Sequence, residues 1–156
     1  MTYALFVALT MFVLPLGSVA WALASGQGDW LWLTGKWFVF WGVGVRLAVA
    51  GVRQYLQPAF TSREILGVES PGAYVLVREL GGANAAAGIV GIASLSAPSF
   101  VLPSAIAAAI FYAVAGVEHV KSGAHERNER IALVSDLFIA LVLAVFVAAT
   151  VLRAGL

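Results

Sequence analysis

Five apolar stretches run along the chain, separated by short polar or glycine-rich segments. They cover residues 4–23, 30–55, 72–96, 101–120 and 131–152. A helix that spans the hydrocarbon core of a bilayer needs about 20 apolar residues, and a helix satisfies its own backbone groups inside lipid. The pattern therefore predicts an all-α, polytopic membrane helix bundle with five transmembrane helices. We expect residues 1–156 to form a single transmembrane domain.

The segment between the second and third stretches predicts one further, short helix. Thr61 or Ser62 is a suitable N-cap and Gly67 a suitable end for an interfacial helix. The third stretch contains Gly88 and Gly91, and small residues allow membrane helices to approach closely. We therefore expect the third stretch to be the central helix, contacted by most of the others.

The composition agrees with a membrane location. Charged residues make up 11% of the chain and hydrophobic residues 62%, whereas a soluble domain has about 25% charged residues. A net charge of +1 argues against a nucleic-acid partner, which requires a basic face. The chain has no cysteine, which excludes disulfides, iron–sulfur clusters and cysteine-ligated zinc.

The distribution of basic residues predicts the orientation of the chain. Five spans place alternate connections on opposite sides. One side then receives six basic residues: Arg53, Arg63, Arg78, Lys121, Arg127 and Arg130. The other side receives only Lys36 and Arg153. The positive-inside rule predicts a multi-pass protein of the inner (plasma) membrane, with its N-terminus in the cytoplasm and its C-terminus outside.

Ionisable and polar residues inside the apolar stretches are the candidate functional groups. An arginine within a membrane helix faces the protein interior and has a partner there. Seven residues separate Arg46 from Arg53, so the two share a helix face. Most of the candidates lie toward the predicted cytoplasmic ends of four helices, where we expect a common polar cluster. Its members are Arg46, Arg53, Arg78, Glu79, Asn84, Tyr112, Glu118, His119 and Asp136.

The cluster admits several functions. It can be a set of interhelical ion pairs that determines helix register, a ligand-binding or catalytic site, or a proton pathway. Glu118 and His119 are neighbours and point about 100° apart on a helix, so both cannot face one site. We favour His119, because Tyr112 shares its face and its charge changes near neutral pH. We predict no metal site, and we expect His125 to lie in a solvated loop.

Several short motifs resemble a known family of small, uncharacterised bacterial membrane proteins. The likeness extends from about Trp41 to Phe138 and rests on four segments: residues 60–67, Arg78-Glu79-Leu80-Gly81 with Asn84, Glu118-His119, and residues 135–138. The chain also resembles the DoxX-like group of small helical membrane proteins. That resemblance implies a four-helix bundle, linked in some members to quinone-dependent sulfur oxidation or redox stress. The five spans predicted here depart from that pattern.

These observations lead to a functional hypothesis with two alternatives. We expect an integral membrane protein that binds a small polar or amphipathic molecule, such as a quinone headgroup or a lipid, in a charged pocket in the cytoplasmic half. The first alternative is a non-catalytic subunit of a larger membrane complex, with other subunits or further copies of the chain as partners. The second is a membrane enzyme that uses Glu118, His119 and Asp136 in acid–base chemistry. The sequence assigns neither a cofactor nor a catalytic residue.

Overall fold

The computed structural model describes residues 3–68, 70–123 and 126–155, and His125 lies outside this part of the chain. The described residues form helices and no strand. The helices are α1 (Tyr3–Ala24), α2 (Trp30–Leu56), α3 (Pro58–Glu64), α4 (Pro71–Ala93), α5 (Val101–Ser122) and α6 (Arg127–Ala154), with a 3-10 turn at Pro98–Phe100 before α5. All except α3 belong to segments that are long and apolar enough to cross a membrane. The predicted all-α bundle of five membrane-length helices is confirmed.

Side-chain caps mark the starts of α2 and α4. The Leu31 N–H donates to Asp29 Oδ1 over 2.9 Å at the start of α2. At the start of α4, the Ala73 N–H donates to Ser70 Oγ over 3.1 Å, and Pro71 occupies the first turn. A proline is favoured there because its missing N–H needs no partner in the first turn. Both helices therefore begin at polar residues that directly precede the apolar stretches.

α6 begins earlier than its apolar stretch. Glu126 and Glu129 form a capping box, in which the Glu126 N–H donates to Glu129 Oε2 over 3.0 Å. Such a box satisfies two N–H groups at a helix start. The helix therefore starts at Arg127 and not at residue 131, because the cap allows it to extend through charged sequence.

The short helix α3 is present, but its start differs from the prediction. It begins at Pro58, and Thr61 and Ser62 are buried within it and do not cap it. The Ser62 hydroxyl instead donates to the Val68 carbonyl, which folds the following segment back onto the helix. Gly67 has a φ of +64°, a left-handed conformation that glycine adopts readily.

Two of the membrane-length helices contain π-helical segments. Leu9–Val13 lies in α1 just before Pro15, whose missing N–H interrupts the α-helical ladder. Val39–Val45 lies in α2, directly before the candidate Arg46. The Tyr112 hydroxyl of α5 donates to the Gly42 carbonyl of this segment over 2.6 Å. π-segments often occur at functional sites, and this one is tied to a neighbouring helix.

α2 is the central helix, and the expectation that the third apolar stretch would be central is wrong. α2 contacts α1, α4, α5 and α6, whereas α4 packs mainly along α2. α5 and α6 pack along each other. The main apolar core lies between α1, α2, α5 and α6 and includes Met11, Phe38, Ile139 and Leu143. The small residues of α4 allow it to pack very closely against α2. They also leave α4 with few long side chains that could contact the other helices.

Glycines form the contact between α2 and α4. We call Gly44, Gly51, Gly81, Gly88 and Gly91 the glycine seam. A Cβ at Gly88 would lie 2.3 Å from the Ala48 nitrogen, and a Cβ at Gly51 would lie 2.5 Å from the Gly81 oxygen. The two backbones are therefore in direct contact, in the manner of small-residue interfaces of membrane helices.

Candidate functional site

A polar cavity of 110 Å³ lies within the bundle, bounded by residues from α1 to α6. A cavity of this size has room for several water molecules or a small polar group. We call it the polar cavity. Its polar lining consists of Tyr3, Arg46, Gln54, Thr61, Asn84, Tyr112, His119 and Asp136.

Arg46 is the main charged group of the polar cavity. Its exposed fraction is 9%, and its guanidinium lies 5.6 Å from the centre of the Phe6 ring. Its Nη2 is 3.4 Å from the Tyr3 hydroxyl, a long distance for a hydrogen bond. Its Nε is buried and has no hydrogen-bond partner among the described residues. The guanidinium therefore retains unused donors in the interior of the bundle.

His119 and Asp136 face each other across the α5–α6 contact. His119 Nε2 and Asp136 Oδ2 are 3.9 Å apart, which is too far for a direct hydrogen bond. Both residues are buried. Asp136 also interacts electrostatically with Arg46, although these two residues form no ion pair within the described part of the chain. The cavity thus brings a cation, an acid and an imidazole together without joining them directly.

A second opening connects with the polar cavity. We call this 210 Å³ groove between α1, α2 and α3 the arginine groove, and it shares Tyr3, Arg46 and Gln54 with the polar cavity. The Arg53 guanidinium also lines the groove and lies 3.6 Å over the Phe60 ring. The described residues that line the groove include two arginines and no acid. Its charge suits an anionic group.

Two other predicted site residues form hydrogen bonds with neighbouring helices. Asn84 Nδ2 donates to Gln54 Oε1 over 2.8 Å, which links α4 to α2. The Tyr112 hydroxyl donates to the Gly42 carbonyl, which links α5 to α2. Both side chains line the polar cavity, and their hydrogen bonds hold the surrounding helices in position.

The remaining predicted site residues lie outside the polar cavity. Arg78 and Glu79 are exposed on α4, and Glu118 is exposed on α5. Glu118 Oε1 accepts from Lys121 Nζ over 2.7 Å. Helix geometry explains these positions. Gly81 faces α2, so Glu79, two residues earlier, points about 200° away from α2.

Sequence reasoning missed three polar residues of the cavity, namely Tyr3, Gln54 and Thr61. Tyr3 directly precedes the first apolar stretch. It is far from Arg46 in the sequence, so no local pattern predicts their contact. Gln54 is adjacent to Arg53 and could have been found as a polar residue near a predicted helix end. Thr61 reaches the cavity only because α3 folds back beside α2, which no local pattern predicts.

Within the described ranges, no three His, Asp or Glu side chains are grouped so that they could hold a metal ion. Asp136 and His119 line the polar cavity as hydrogen-bonding groups, and Arg46 is the charged group beside them.

The fold and the site define a multi-pass, all-α membrane protein whose interior contains a cavity with polar lining residues. The chain belongs to the family described as "Family of unknown function (DUF6790)", whose model matches residues 3–154. This match confirms the resemblance to an uncharacterised family. No curated protein and no solved structure matches the chain.

Proposed function

We propose that this membrane protein binds a small polar or amphipathic molecule, quinone-like or lipid-like, whose polar head occupies the polar cavity and the arginine groove. The observation that carries this proposal is the buried Arg46, whose Nε has no partner among the described residues. The sequence resemblance to the DoxX-like group, some members of which are linked to quinone-dependent reactions, supports quinones as candidate ligands. The positive-inside charge pattern supports a site in the cytoplasmic half of the inner membrane.

The chemistry of the site favours a head group that accepts hydrogen bonds. Guanidinium groups bind carboxylates and phosphates through paired, charge-assisted hydrogen bonds. Arg46 and Arg53 line the same groove, so one acceptor group can contact both. Asp136 and His119 lie on the cavity side of Arg46 and can pair with a hydroxyl or carbonyl of the same molecule. A ligand would thereby supply the partner that a buried arginine requires.

The test measures the thermal stability of the full chain in phosphatidylcholine nanodiscs with two water-soluble head-group probes, butyl phosphate and menadione. We expect at least one of them to stabilise the wild-type protein. Arg46→Gln should weaken that effect at least tenfold, because it removes the charge and changes the donor geometry. Arg53→Gln should weaken it less, because Arg53 is only half-buried.

A matched control separates binding from charge alone. Arg127→Gln removes an exposed arginine at the start of α6 and should leave probe binding unchanged. Circular dichroism should show the same helix content in all variants. The proposal is rejected if neither probe stabilises the wild-type protein, or if Arg46→Gln binds as well as Arg127→Gln does.

The orientation part of the proposal has its own test. A reporter that is active only in the cytoplasm is fused either after Leu156 or between Gly123 and Glu126. We expect activity only for the internal fusion, because six basic residues lie on that side of the spans. Activity only for the fusion after Leu156 would reverse the proposed orientation.

A second candidate function is favoured by the exposed charges of α4. Arg78 and Glu79 are exposed within a helix of membrane-spanning length, although charged groups in such helices usually face protein. Another copy of the chain, or a different membrane subunit, would cover them. This is the function of a subunit in a larger membrane complex.

The absence of cysteine makes this second candidate easy to examine. Gly82→Cys places a single thiol on the exposed face of α4, and Val134→Cys places one on the exposed face of α6. If copies meet through α4, oxidation in membranes should produce a disulfide-linked dimer for Gly82→Cys only. A heteromeric complex should instead appear as a larger species on native gels. If neither species forms, the chain is not such a subunit.

A further inference from the structure

An apolar cleft of 350 Å³ lies between α4 and α5 and has α2 as its floor. We call it the apolar cleft. Its lining includes Leu47 of α2, Ala87 and Val90 of α4, and Ala107 and Phe111 of α5. This volume falls within the range of small-molecule sites, about 300–1,000 Å³. The two openings described above have charged side chains in their lining, whereas this one has none among its described lining residues and is almost entirely apolar.

The cleft exists because α4 is bound to the bundle mainly on one side. The glycine seam holds α4 against α2, while α4 and α5 make only sparse contacts. Alanines on both helices leave the intervening space unfilled, and Ala87 and Ala107 are exposed. The cleft therefore opens sideways, on the surface that lipid would cover.

The apolar cleft adjoins the polar cavity. Leu47, Asn84 and Phe111 line both spaces. The seven residue steps from Ala83 to Val90 give the cleft a length of about 10 Å along α4, and the end near Asn84 meets the cavity. A molecule in the cleft can therefore extend one end into the site of Arg46.

We infer that the apolar cleft holds the single apolar chain of an anionic amphiphile taken from the bilayer, whose carboxylate or phosphate head binds Arg46 and Arg53. This inference rests on the proposed function and specifies its ligand. The head is anionic because the arginine groove has two guanidinium groups and no acid among its described lining residues. The alkyl chain is single because one cleft of 350 Å³ adjoins the cavity.

The experiment uses dodecyl phosphate with a photoreactive diazirine at the end of its chain, added to the full protein in phosphatidylcholine nanodiscs. We expect the label on residues of α4 and α5 that line the cleft, and we expect excess unlabelled dodecyl phosphate to suppress it. Butyl phosphate, which lacks the long chain, should compete for the head site and also reduce the labelling.

Paired variants separate the chain site from the head site. Ala87→Phe fills the cleft and should reduce labelling at least tenfold, while Ala86→Phe, an exposed neighbour that does not line the cleft, should not. Stabilisation by butyl phosphate should survive Ala87→Phe and be lost in Arg46→Gln. The cleft inference is overturned if the label spreads evenly over lipid-facing residues such as Leu141 and is not suppressed by competitor. If butyl phosphate still stabilises the wild-type protein in that case, the head site stands; if it does not, the arginine site for an anion fails as well.

Discussion

The two sides of α2 differ in how completely they are closed. Toward α4, the glycine seam brings backbone against backbone, with no room for even a methyl group at Gly88. Toward α1, α5 and α6, the same helix presents Arg46 to a cavity that also contains Asp136 and His119. The α4 side is closely packed, whereas the cavity side leaves buried polar groups without direct partners.

This difference separates the structural part of the bundle from its candidate chemistry. A close small-residue interface is stabilised by van der Waals contact over its whole length and offers no site for a ligand. An unfilled polar cavity is unfavourable by itself, because buried charges lose their hydration. The π-segment before Arg46 and the hydrogen bond from Tyr112 lie on this second side. Substitutions on the two sides of α2 should therefore differ in their effects on stability and on probe binding.

Loss of the Arg46 charge should produce the largest change in stability. Arg46→Leu removes the cation that interacts with the buried Asp136. Because the two residues form no direct ion pair, the loss of unfolding free energy should lie near the lower end of the about 3–5 kcal/mol that breaking a buried pair costs. Arg46→Leu combined with Asp136→Asn should recover much of this loss, because the uncompensated charge is then absent. Thermal unfolding in detergent measures both effects.

The control for this experiment is another arginine. Arg78→Leu removes an exposed side chain and should change stability by no more than about 0.5 kcal/mol. Equal effects of Arg46→Leu and Arg78→Leu would show that the polar cavity has no special role in stability.

A methyl group in the glycine seam should have the next largest effect. Gly88→Ala places a Cβ 2.3 Å from the Ala48 nitrogen, so α4 must move away from α2. We expect a loss of about 1–3 kcal/mol, as for other overpacked interiors. The midpoint of thermal unfolding should fall, and binding of a head-group probe to Arg46 should be affected less than stability.

Gly82→Ala is the matched control on the same helix. Nothing lies within 4 Å of a Cβ at Gly82, and alanine in a helix interior is favoured over glycine by about 0.5–1 kcal/mol. Stability should therefore stay constant or rise. A similar loss for both variants would indicate that the glycines serve backbone flexibility and not close packing.

The apolar pattern was sufficient to predict the five membrane-length helices. Four of them begin within one residue of the predicted positions, because the length of an apolar run determines whether it can cross a bilayer. α6 differs, since hydropathy does not detect the capping box at Glu126. The central position of α2 was missed because glycine content predicts close contact but not the number of partners.

The sequence predicted the candidate site less completely than it predicted the helices. Arg46, His119 and Asp136 do line one cavity, and their depth within apolar stretches was the signal that identified them. Arg78, Glu79 and Glu118 have the same signal but point outward, because the direction of a side chain depends on which face of its helix is packed. The partners Tyr3 and Thr61 depend on tertiary contacts between distant segments.

The hydrogen bond between α5 and the π-segment of α2 should have a moderate effect. Tyr112→Phe removes the hydroxyl that donates to the Gly42 carbonyl over 2.6 Å, and the lost hydrogen bond should cost about 1 kcal/mol. Tyr55→Phe is the control, because Tyr55 is 60% exposed. If the two variants unfold at the same temperature, the hydrogen bond does not stabilise this side of α2.

The smallest effect should come from the opposite end of the bundle, far from both sides compared here. Arg153 Nη1 lies 3.1 Å from Asp29 Oδ1, and exposed ion pairs contribute little because water and salt screen them. Desolvation raises the pKa of Asp29, but the Leu31 and Trp32 N–H groups and Arg153 together lower it more, so the net pKa is below its ordinary 3.8. The contribution of the pair is therefore present above that value and is lost as the pH falls through the lowered pKa. Arg153→Gln should lower the unfolding temperature slightly at neutral pH and low salt, and the difference should vanish in high salt or strong acid. A persistent difference under those conditions would show that Arg153 acts through its contact with the Trp30 ring and not through the ion pair.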